Sequence, residues 1–238
     1  MESGFAFTGL FSRVAGDGYI DGTAFEGYNY FLGFGWSNEK RTHDIQFTLT
    51  GAPQVHNQRT TSFFNAATLG QYLQYGDKYN FNNGTLNGEE FNWRRNFYHK
   101  PVLSLNWDWE ISDKTKLSSV AYASFGRGGG TGDIGRGRTG AGRSAFASNL
   151  AFRDANTGLV KFDEIAQWNG GQATSFTGTG DNDILINQTD ANGNSFVQSR
   201  SNGIVRRASI NSHNWYGLLA NLNTQLNDNL TFDHGNSD

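Results

Sequence analysis

The chain has 238 residues, no cysteine and a formal net charge of −3 at pH 7. The lack of cysteine excludes disulfide frameworks and cysteine-ligated metal sites, and the slightly acidic charge argues against a dedicated nucleic-acid-binding protein. An aromatic content of 14%, with 31 glycines and only 2 prolines, favours strands and turns over helices.

Seven strands are predicted from the alternation of apolar and polar residues. They lie, in chain order, at about 5–12, 26–36, 44–50, 103–111, 116–125 and 215–226, with a seventh beginning at Leu230. The third is expected to stop at or just before Pro53 and the fourth to begin after Pro101, because proline lacks the amide donor of a ladder. The strands run to roughly 10–13 residues against a usual length of about 5–6. Such lengths suit a tilted crossing of a lipid bilayer.

The predicted connections alternate in length. Those at 37–42, 112–115 and 227–229 are short and polar, whereas those at about 15–25, 51–100 and 127–212 are long. In a meander, alternate connections lie at the same end of the sheet, so the short turns share one end and the long loops share the other. This asymmetry is typical of outer-membrane barrels, and nothing imposes it on a soluble sandwich.

The long connections contain two predicted helices. One runs from Thr61 to Tyr75, with Ser62 as a candidate capping residue, and the other from Phe162 to Trp168. The aromatic content of these loops favours packed and ordered loops over disordered ones.

Motifs of known chemistry are incomplete in this sequence. Gly130, Gly132 and Gly135 fit a G-x-G-x-x-G pattern, but no helix start follows to hold a pyrophosphate. Residues 126–143 are therefore interpreted as a flexible or tightly turned Gly/Arg loop. The segments 181–183 and 190–194 fail the EF-hand order and are interpreted as solvated turns. The histidines lack metal-ligand spacing and no nucleophile elbow occurs, so we predict no enzyme activity, no cofactor and no metal site.

Aromatic and basic residues interleave over Trp93–Lys100, just before the fourth strand. Stacking on nucleic acid is one interpretation of this pattern, and a girdle at a membrane interface is the favoured one. The predicted interface aromatics are Tyr28, Tyr30, Trp36, Trp107, Trp109, Trp215 and Tyr216. The predicted ligand-facing residues of the long loops are Trp93, Arg94, Arg95, Arg127, Arg136 and Arg138.

Several stretches resemble TonB-dependent receptors of the Bacteroidetes type. They are GDGYIDGT at 16–23 running into EGYNYF at 26–31, FTLTGAPQVHNQR at 47–59 and NWRRNFYHKP at 92–101. The likeness covers residues 1 to about 232. It implies a segment of a barrel of about 22 strands, set in outer-membrane lipid and normally closed by an N-terminal plug. Such a receptor takes up a scarce nutrient (an iron–siderophore, cobalamin or a glycan) with energy that the TonB system delivers through the plug.

The fold expected for residues 1–238 is all-β. It is an antiparallel up-and-down meander, a partial transmembrane barrel whose long extracellular loops contain short helices. The signal peptide, the plug with its TonB box and the closing strand are expected to lie outside this chain, and 231–238 looks like a truncation or frameshift. Six or seven strands cannot close a barrel, so transport by this chain alone is not expected. The alternatives are a soluble or surface-attached β-rich carbohydrate-binding module and a small self-contained porin-like barrel.

Overall fold

The dominant feature is one large antiparallel sheet. The computed structural model describes residues 4–59, 67–135, 152–170, 172, 174, 175, 185–199 and 204–237. The strands of the sheet are β1 (Gly4–Gly16), β2 (Phe25–Ser37), β3 (His43–Gly51), β4 (Gln54–Asn57), β7 (Arg95–His99), β8 (Val102–Ser112), β9 (Thr115–Gly135), β13 (Ile204–Asn227) and β14 (Leu230–Ser237). The predicted all-β antiparallel class is confirmed.

The sheet is a meander of seven strands, two of which are interrupted. The strand made of β3 and β4 is broken at Ala52–Pro53, and the strand made of β7 and β8 is broken at Lys100–Pro101. β2 pairs with both halves of the first, and β9 pairs with both halves of the second. As predicted, β3 ends just before Pro53 and β8 begins just after Pro101. Strand pairing nevertheless continues on the far side of each proline, through β4 and β7. The amides of Tyr28 and Phe125 donate to the carbonyls of Pro53 and Pro101 at 2.9 and 3.2 Å, so the neighbouring strands keep their partners across the breaks.

Short and long connections separate to the two ends of this meander. Residues 38–42, 113–114 and 228–229 join strands at one end, and 17–24, 58–94 and 136–203 join them at the other. The predicted alternation is confirmed, although the second and third long connections are shorter than expected, because β4 and β7 take up part of the second and the extended β9 and β13 part of the third. The two ends are called the turn end and the loop end below.

The glycine-rich segment after Phe125 is a strand where it was interpreted as a loop. β9 runs on through Gly135, pairing with β13 along its whole length and with β7 over Gly130–Arg127. Glycine weakens a strand by its conformational entropy. Here the backbone groups are bonded to β13 throughout and also to β7 over 127–130, which offsets that cost. The loop interpretation is therefore wrong for 126–135, and 136–143 lie outside the described residues.

The buried core lies at the loop end, within what we call the loop unit, residues 69–94 and 152–170. It contains α1 (Leu69–Tyr75), β5 (Asn83–Leu86), β6 (Glu89–Asn92), β10 (Val160–Lys161) and α2 (Phe162–Asn169). A separate hairpin, β11 (Leu185–Thr189) and β12 (Ser195–Ser199), follows. The buried apolar residues of the described chain are Tyr79, Phe81, Trp93, Phe152, Val160, Phe162, Ile165, Trp168 and Ile204. The Asn169 side chain bonds both backbone groups of Ile204, at 2.7 and 2.9 Å, which ties the unit to the start of β13.

One predicted helix is confirmed and the other is shorter than predicted. α2 covers Phe162–Asn169, whereas α1 begins only at Leu69. Thr68 and Gln71 form a capping box, in which each side chain accepts a hydrogen bond from the other residue's amide. Ser62, the candidate cap, lies outside the described residues. In the part of the chain that the structure describes, neither helix is long and apolar enough to cross a membrane.

Gly84 in β5 is expected not to tolerate a side chain. A Cβ there would lie 2.2 Å from the carbonyl oxygen of Val160, its parallel partner in β10. Because that oxygen belongs to the backbone, Gly84→Ala should destabilise the loop unit by about 1–3 kcal/mol. Hydrogen exchange over 83–92 and 160–169 measures the loss. Gly88→Asn is the matched control, since Gly88 has φ +79° and open space around it and asparagine tolerates that conformation. Equal protection in the two variants would contradict the prediction.

Candidate functional site

The sheet has one apolar and one polar face. The strand register places apolar residues of neighbouring strands side by side on one face and polar residues side by side on the other. Cross-strand partners of an antiparallel pair point to the same side. One continuous row consists of Phe7, Phe34, Phe47, Leu105, Ala121 and Leu218. The row beside it, on the opposite side, consists of Thr8, Gly33, Thr48, Ser104, Tyr122 and Gly217. The apolar faces predicted strand by strand thus merge into one surface, called the apolar face below.

The apolar face is exposed. On the edge strand, Phe7 is 74% exposed, and in the middle of the sheet Phe34 and Leu105 are each 44% exposed. No buried apolar residue of the described chain lies within the central rows of the sheet, since the core is at the loop end. Exposed apolar surface in water costs about 25 cal/mol per Å² relative to burial. A surface of this extent therefore calls for an apolar environment or a partner.

Aromatic side chains border the apolar face at both ends. At the turn end, the stacked rings of Trp107 and Trp109 lie 5.6 Å apart, and Trp107 Nε1 donates to His43 Nδ1 at 3.2 Å. At the loop end, Tyr28 packs 5.9 Å from Phe11, and the Tyr30 hydroxyl lies 2.9 Å from His99 Nε2. Along β2, the eight residue steps from Tyr28 to Trp36 span about 26 Å. At a strand tilt of about 40°, this length covers about 20 Å of the apolar band of about 25 Å in membrane barrels.

Charge appears on this side of the sheet immediately above the loop-end aromatics. Arg13 Nε pairs with Glu26 Oε1 at 2.9 Å, and the Tyr28 hydroxyl donates to the same carboxylate. Arg13 lies directly opposite Tyr28 in the β1–β2 pair, and Glu26 lies two residues beyond Tyr28 along β2. The apolar band therefore ends at a tyrosine whose hydroxyl reaches a polar partner, as amphipathic aromatics do at an apolar–polar boundary.

Six of the seven predicted interface aromatics occupy the apolar face. The exception is Trp215, which pairs with Ser124 on the polar face and holds Lys100 Nζ 3.9 Å from its ring centroid. The sequence could not separate Trp215 from Tyr216, because both neighbours are aromatic at the end of one apolar run. Only the register of β13 assigns them to opposite faces.

The predicted ligand-facing residues differ in their exposure to solvent. Trp93 is 4% exposed and stacks on Phe162 at 5.4 Å, so it belongs to the core of the loop unit and does not face outward. Arg95 and Arg127 are exposed. Arg94 lines a cleft and lies 3.9 Å from Asp133. Arg136 and Arg138 lie outside the described residues.

Buried asparagines fasten the loop unit to the first long connection. Asn80 and Asn92 are 1% and 3% exposed, and their side chains donate to the carbonyls of Asp21 and Gly22, both at 2.8 Å. Sequence reasoning missed these residues, because an asparagine-rich run such as 79–84 has the composition of a solvated turn. Their role depends on backbone carbonyls almost 60 residues or more away along the chain.

Arg153 is a buried cation that orders the same region. It is 6% exposed, its Nη1 donates to the Tyr79 hydroxyl and the Gly158 carbonyl at 3.2 and 3.1 Å, and its guanidinium lies 3.6 Å from the Phe81 ring centroid. Burial lowers the pKa of Arg153, and the attraction of Tyr79 opposes that shift. Burial likewise raises the pKa of Tyr79, with Arg153 opposing it. The cation–π contact and the hydrogen bond to Tyr79 join Arg153 to the Tyr79 segment, and the hydrogen bond to Gly158 holds the turn that follows Arg153.

Several acidic residues of the long connections are engaged in local structure. Asp190 accepts from the amides of Asn192 and Asn194 at 2.9 and 2.8 Å, which makes 190–194 the turn of the β11–β12 hairpin. Asp163 accepts from the amide of Asn87, and Glu164 from that of Ser175. Residues 181–183 lie outside the described part. Among the described residues, no three His, Asp or Glu side chains are grouped as metal ligands.

A cleft of about 720 Å³ opens on the polar face at the loop end. Its floor is β9 at Gly128 and Gly130, flanked by β7 on one side and β13 on the other. Among the described residues that line it are arginines, amides, hydroxyls and a histidine, with no carboxylate. This cleft is the candidate ligand site, and the apolar face is the candidate membrane surface.

Comparison with known proteins adds no relative: no protein-family model, no curated protein and no solved structure matches the chain.

Proposed function

We propose that this chain is a segment of an outer-membrane β-barrel and serves in a TonB-dependent receptor that takes up a nutrient. The seven-stranded meander supplies part of the barrel wall. The apolar face contacts lipid and the polar face lines the interior. The loop unit stands at the outer surface, and the remaining strands and the plug come from outside these residues.

The observation that carries the proposal is the inverted distribution of apolar side chains. The sheet keeps Phe7, Phe34 and Leu105 exposed, while the buried core occupies the long connections. A water-soluble sheet would cover one face, whereas a barrel wall turns its apolar residues to lipid and its polar residues inward. The aromatic borders and the separation of short turns from long loops follow the same pattern. The resemblance of residues 16–31, 47–59 and 92–101 to TonB-dependent receptors is the reason for proposing this class of barrel.

Fractionation of cells expressing the chain behind a signal peptide tests the proposal. We expect the protein in the outer-membrane fraction, extractable only with detergent, because the apolar face has no cover in water. Copies of the chain that pair along the free edges of β1 and β14 would supply the closed sheet that lipid requires. A monodisperse product in detergent-free buffer would contradict the proposal and favour the soluble carbohydrate-binding module.

Depth-dependent quenching by brominated lipids provides a sharper test after reconstitution into vesicles. Trp107 and Trp109 border the apolar face, whereas Trp93 and Trp168 are buried in the loop unit. We expect brominated lipid to quench the first pair and to spare the second, and the quenched fraction to disappear in a variant carrying Trp36→Phe, Trp107→Phe and Trp109→Phe. Quenching that is unchanged in this variant would show that lipid contacts another surface.

A further inference from the structure

Glycine alternates along β9 at the loop end. Gly126, Gly128, Gly130 and Gly132 share the polar face, and the residues between them point to the other side. Since glycine has no side chain, this side of β9 is a strip of bare backbone from Gly126 to Gly132, six residue steps or about 20 Å at ~3.3 Å per residue. Side chains of the two neighbouring strands stand on either side, so the strip is the floor of a trough. The cleft of about 720 Å³ is its central part.

The walls of the trough are two strand spacings apart, about 10 Å. The described residues along them are Arg94, Asn96, Tyr98 and Lys100 on one side, and Arg207, Ser209, Asn211 and His213 on the other. The end towards the membrane band is closed, because the His213 ring lies over Gly126 and Lys100 lies on Trp215. At Gly130 the nearest atom to an added Cβ would be 3.7 Å away, so the floor is open there.

The walls carry three permanent positive charges, and of these only Arg94 has a carboxylate of the described residues within ion-pair distance. Arg94 and Arg207 face each other across the floor, and Lys100 stands at the closed end. The Asp133 carboxylate lies 3.9 Å from Arg94 Nη2, too far for a hydrogen bond. None of the ion pairs among the described residues involves Arg207. An anionic ligand in the trough would therefore meet two guanidinium groups, which bind carboxylates and sulfates bidentately.

We propose that the trough binds an acidic oligosaccharide, which makes this the substrate class of the receptor; the inference rests on the proposed function, in which the polar face lines the interior. Amide and hydroxyl groups of Asn96, Asn211 and Ser209 suit sugar hydroxyls, and Tyr98, 40% exposed, offers a ring face for stacking. A peptide would add to a free strand edge or fill apolar pockets. β9 is paired on both edges over 127–130 and the walls are polar, so a peptide fits less well.

Calorimetric titration of the 238-residue chain in detergent micelles tests the inference. The probes are tetragalacturonate, with its fully methyl-esterified form as the uncharged counterpart, and a heparin tetrasaccharide, with its desulfated and esterified form. We expect at least one acidic probe to bind ten or more times more tightly than its counterpart, with affinity falling as salt rises. Equal affinities for acid and ester, or binding of neither acidic probe, would overturn the inference.

Variants assign the binding to the trough. Arg207→Ala removes one wall cation and Gly130→Leu fills the open floor, and each is expected to weaken binding of the acidic probe at least tenfold. Ala123→Leu adds the same side chain to the same strand on the apolar face, and its affinity should equal that of the unaltered chain. Unchanged binding in both trough variants would place the ligand elsewhere and reject the assignment.

The two proposals fail in different ways. Insertion into vesicles, read from lipid quenching of Trp107 and Trp109, reports on the barrel proposal and is independent of any sugar. If the chain inserts into vesicles but binds the acidic probes and their esterified counterparts equally well, the acidic-oligosaccharide inference is refuted and the barrel proposal is not. A chain that binds acidic sugar in detergent-free buffer without inserting refutes the barrel proposal and leaves the trough as the site of a soluble module.

Discussion

Replacing Trp168 with alanine is expected to destabilise the loop unit by about 3–5 kcal/mol, the usual cost of truncating a fully buried tryptophan. Trp168 is 1% exposed, lies on α2 and packs 6.2 Å from Phe152 between ring centroids. Its removal leaves an indole-sized cavity in the apolar core of the loop unit, beside Phe152. The loss is comparable with the whole stability of many domains, which is about 5–15 kcal/mol.

Hydrogen exchange of the reconstituted chain measures this loss locally. Peptides covering 79–94 and 160–169 should exchange roughly a hundredfold to a few thousandfold faster in Trp168→Ala, the factor that corresponds to about 3–5 kcal/mol. Trp215→Ala is the matched control, because it deletes the same side chain at a position 57% exposed. Its loop-unit peptides should exchange at the original rate. Full protection in Trp168→Ala would mean that the loop unit is held by its hydrogen bonds and not by its aromatic core.

The sheet was predictable because its information is local. A strand that turns one face to an apolar medium must alternate with period two, and Leu103, Leu105 and Trp107 do so in consecutive odd positions. Short polar turns such as 112–115 show where one strand ends and the next begins. The two-residue turns at 113–114 and 228–229 leave little freedom in how their flanking strands pair, whereas the long connections leave the register of the strands that they join open.

The extension of β9 was not predictable from alternation. A run such as Gly128–Gly130 has no side chains to alternate, so the signal that defines a strand disappears while the strand continues. What keeps the segment extended is pairing with β7 and β13, and these partners are more than 25 and 70 residues away in the chain. This unpredicted part of β9 is also the floor of the candidate ligand site. The absence of side chains removes the alternation of apolar and polar residues from the sequence, and it also leaves the space that forms the trough.

The loop unit was predictable only in outline. Aromatic content indicated packed loops, and α2 was found from its apolar spacing, but Trp93 was assigned to an outward surface. Its neighbours Arg94 and Arg95 made the segment resemble an interface girdle. Burial of Trp93 depends on Phe162, which lies in the next long connection. The capping box at Thr68 and Gln71 is a local signal that would have placed the start of α1 correctly.

A positive charge at the centre of the apolar face is expected to block insertion. Leu105 lies in the middle of β8, between Phe47 and Ala121 in the central row, and is 44% exposed. If this face contacts lipid, Leu105→Arg places a guanidinium near the bilayer midplane, at a cost of about 2–4 kcal/mol. The inserted fraction, measured by vesicle flotation against a urea titration, should fall accordingly.

Two controls separate a membrane effect from a general effect of arginine. Asn106→Arg changes the next residue of β8, which points to the polar face, and its charge would meet the interior of the barrel. Ser212→Arg lies on the same side of the sheet as Leu105 but four residues beyond Tyr216 on β13, above the aromatic border. Both should insert like the unaltered chain, because the cost of a charge falls to about 0–1 kcal/mol near the interface and the lumen accepts polar groups. If all three variants insert equally, the apolar face does not contact lipid, and its exposed phenylalanines and leucines must be covered by another protein surface.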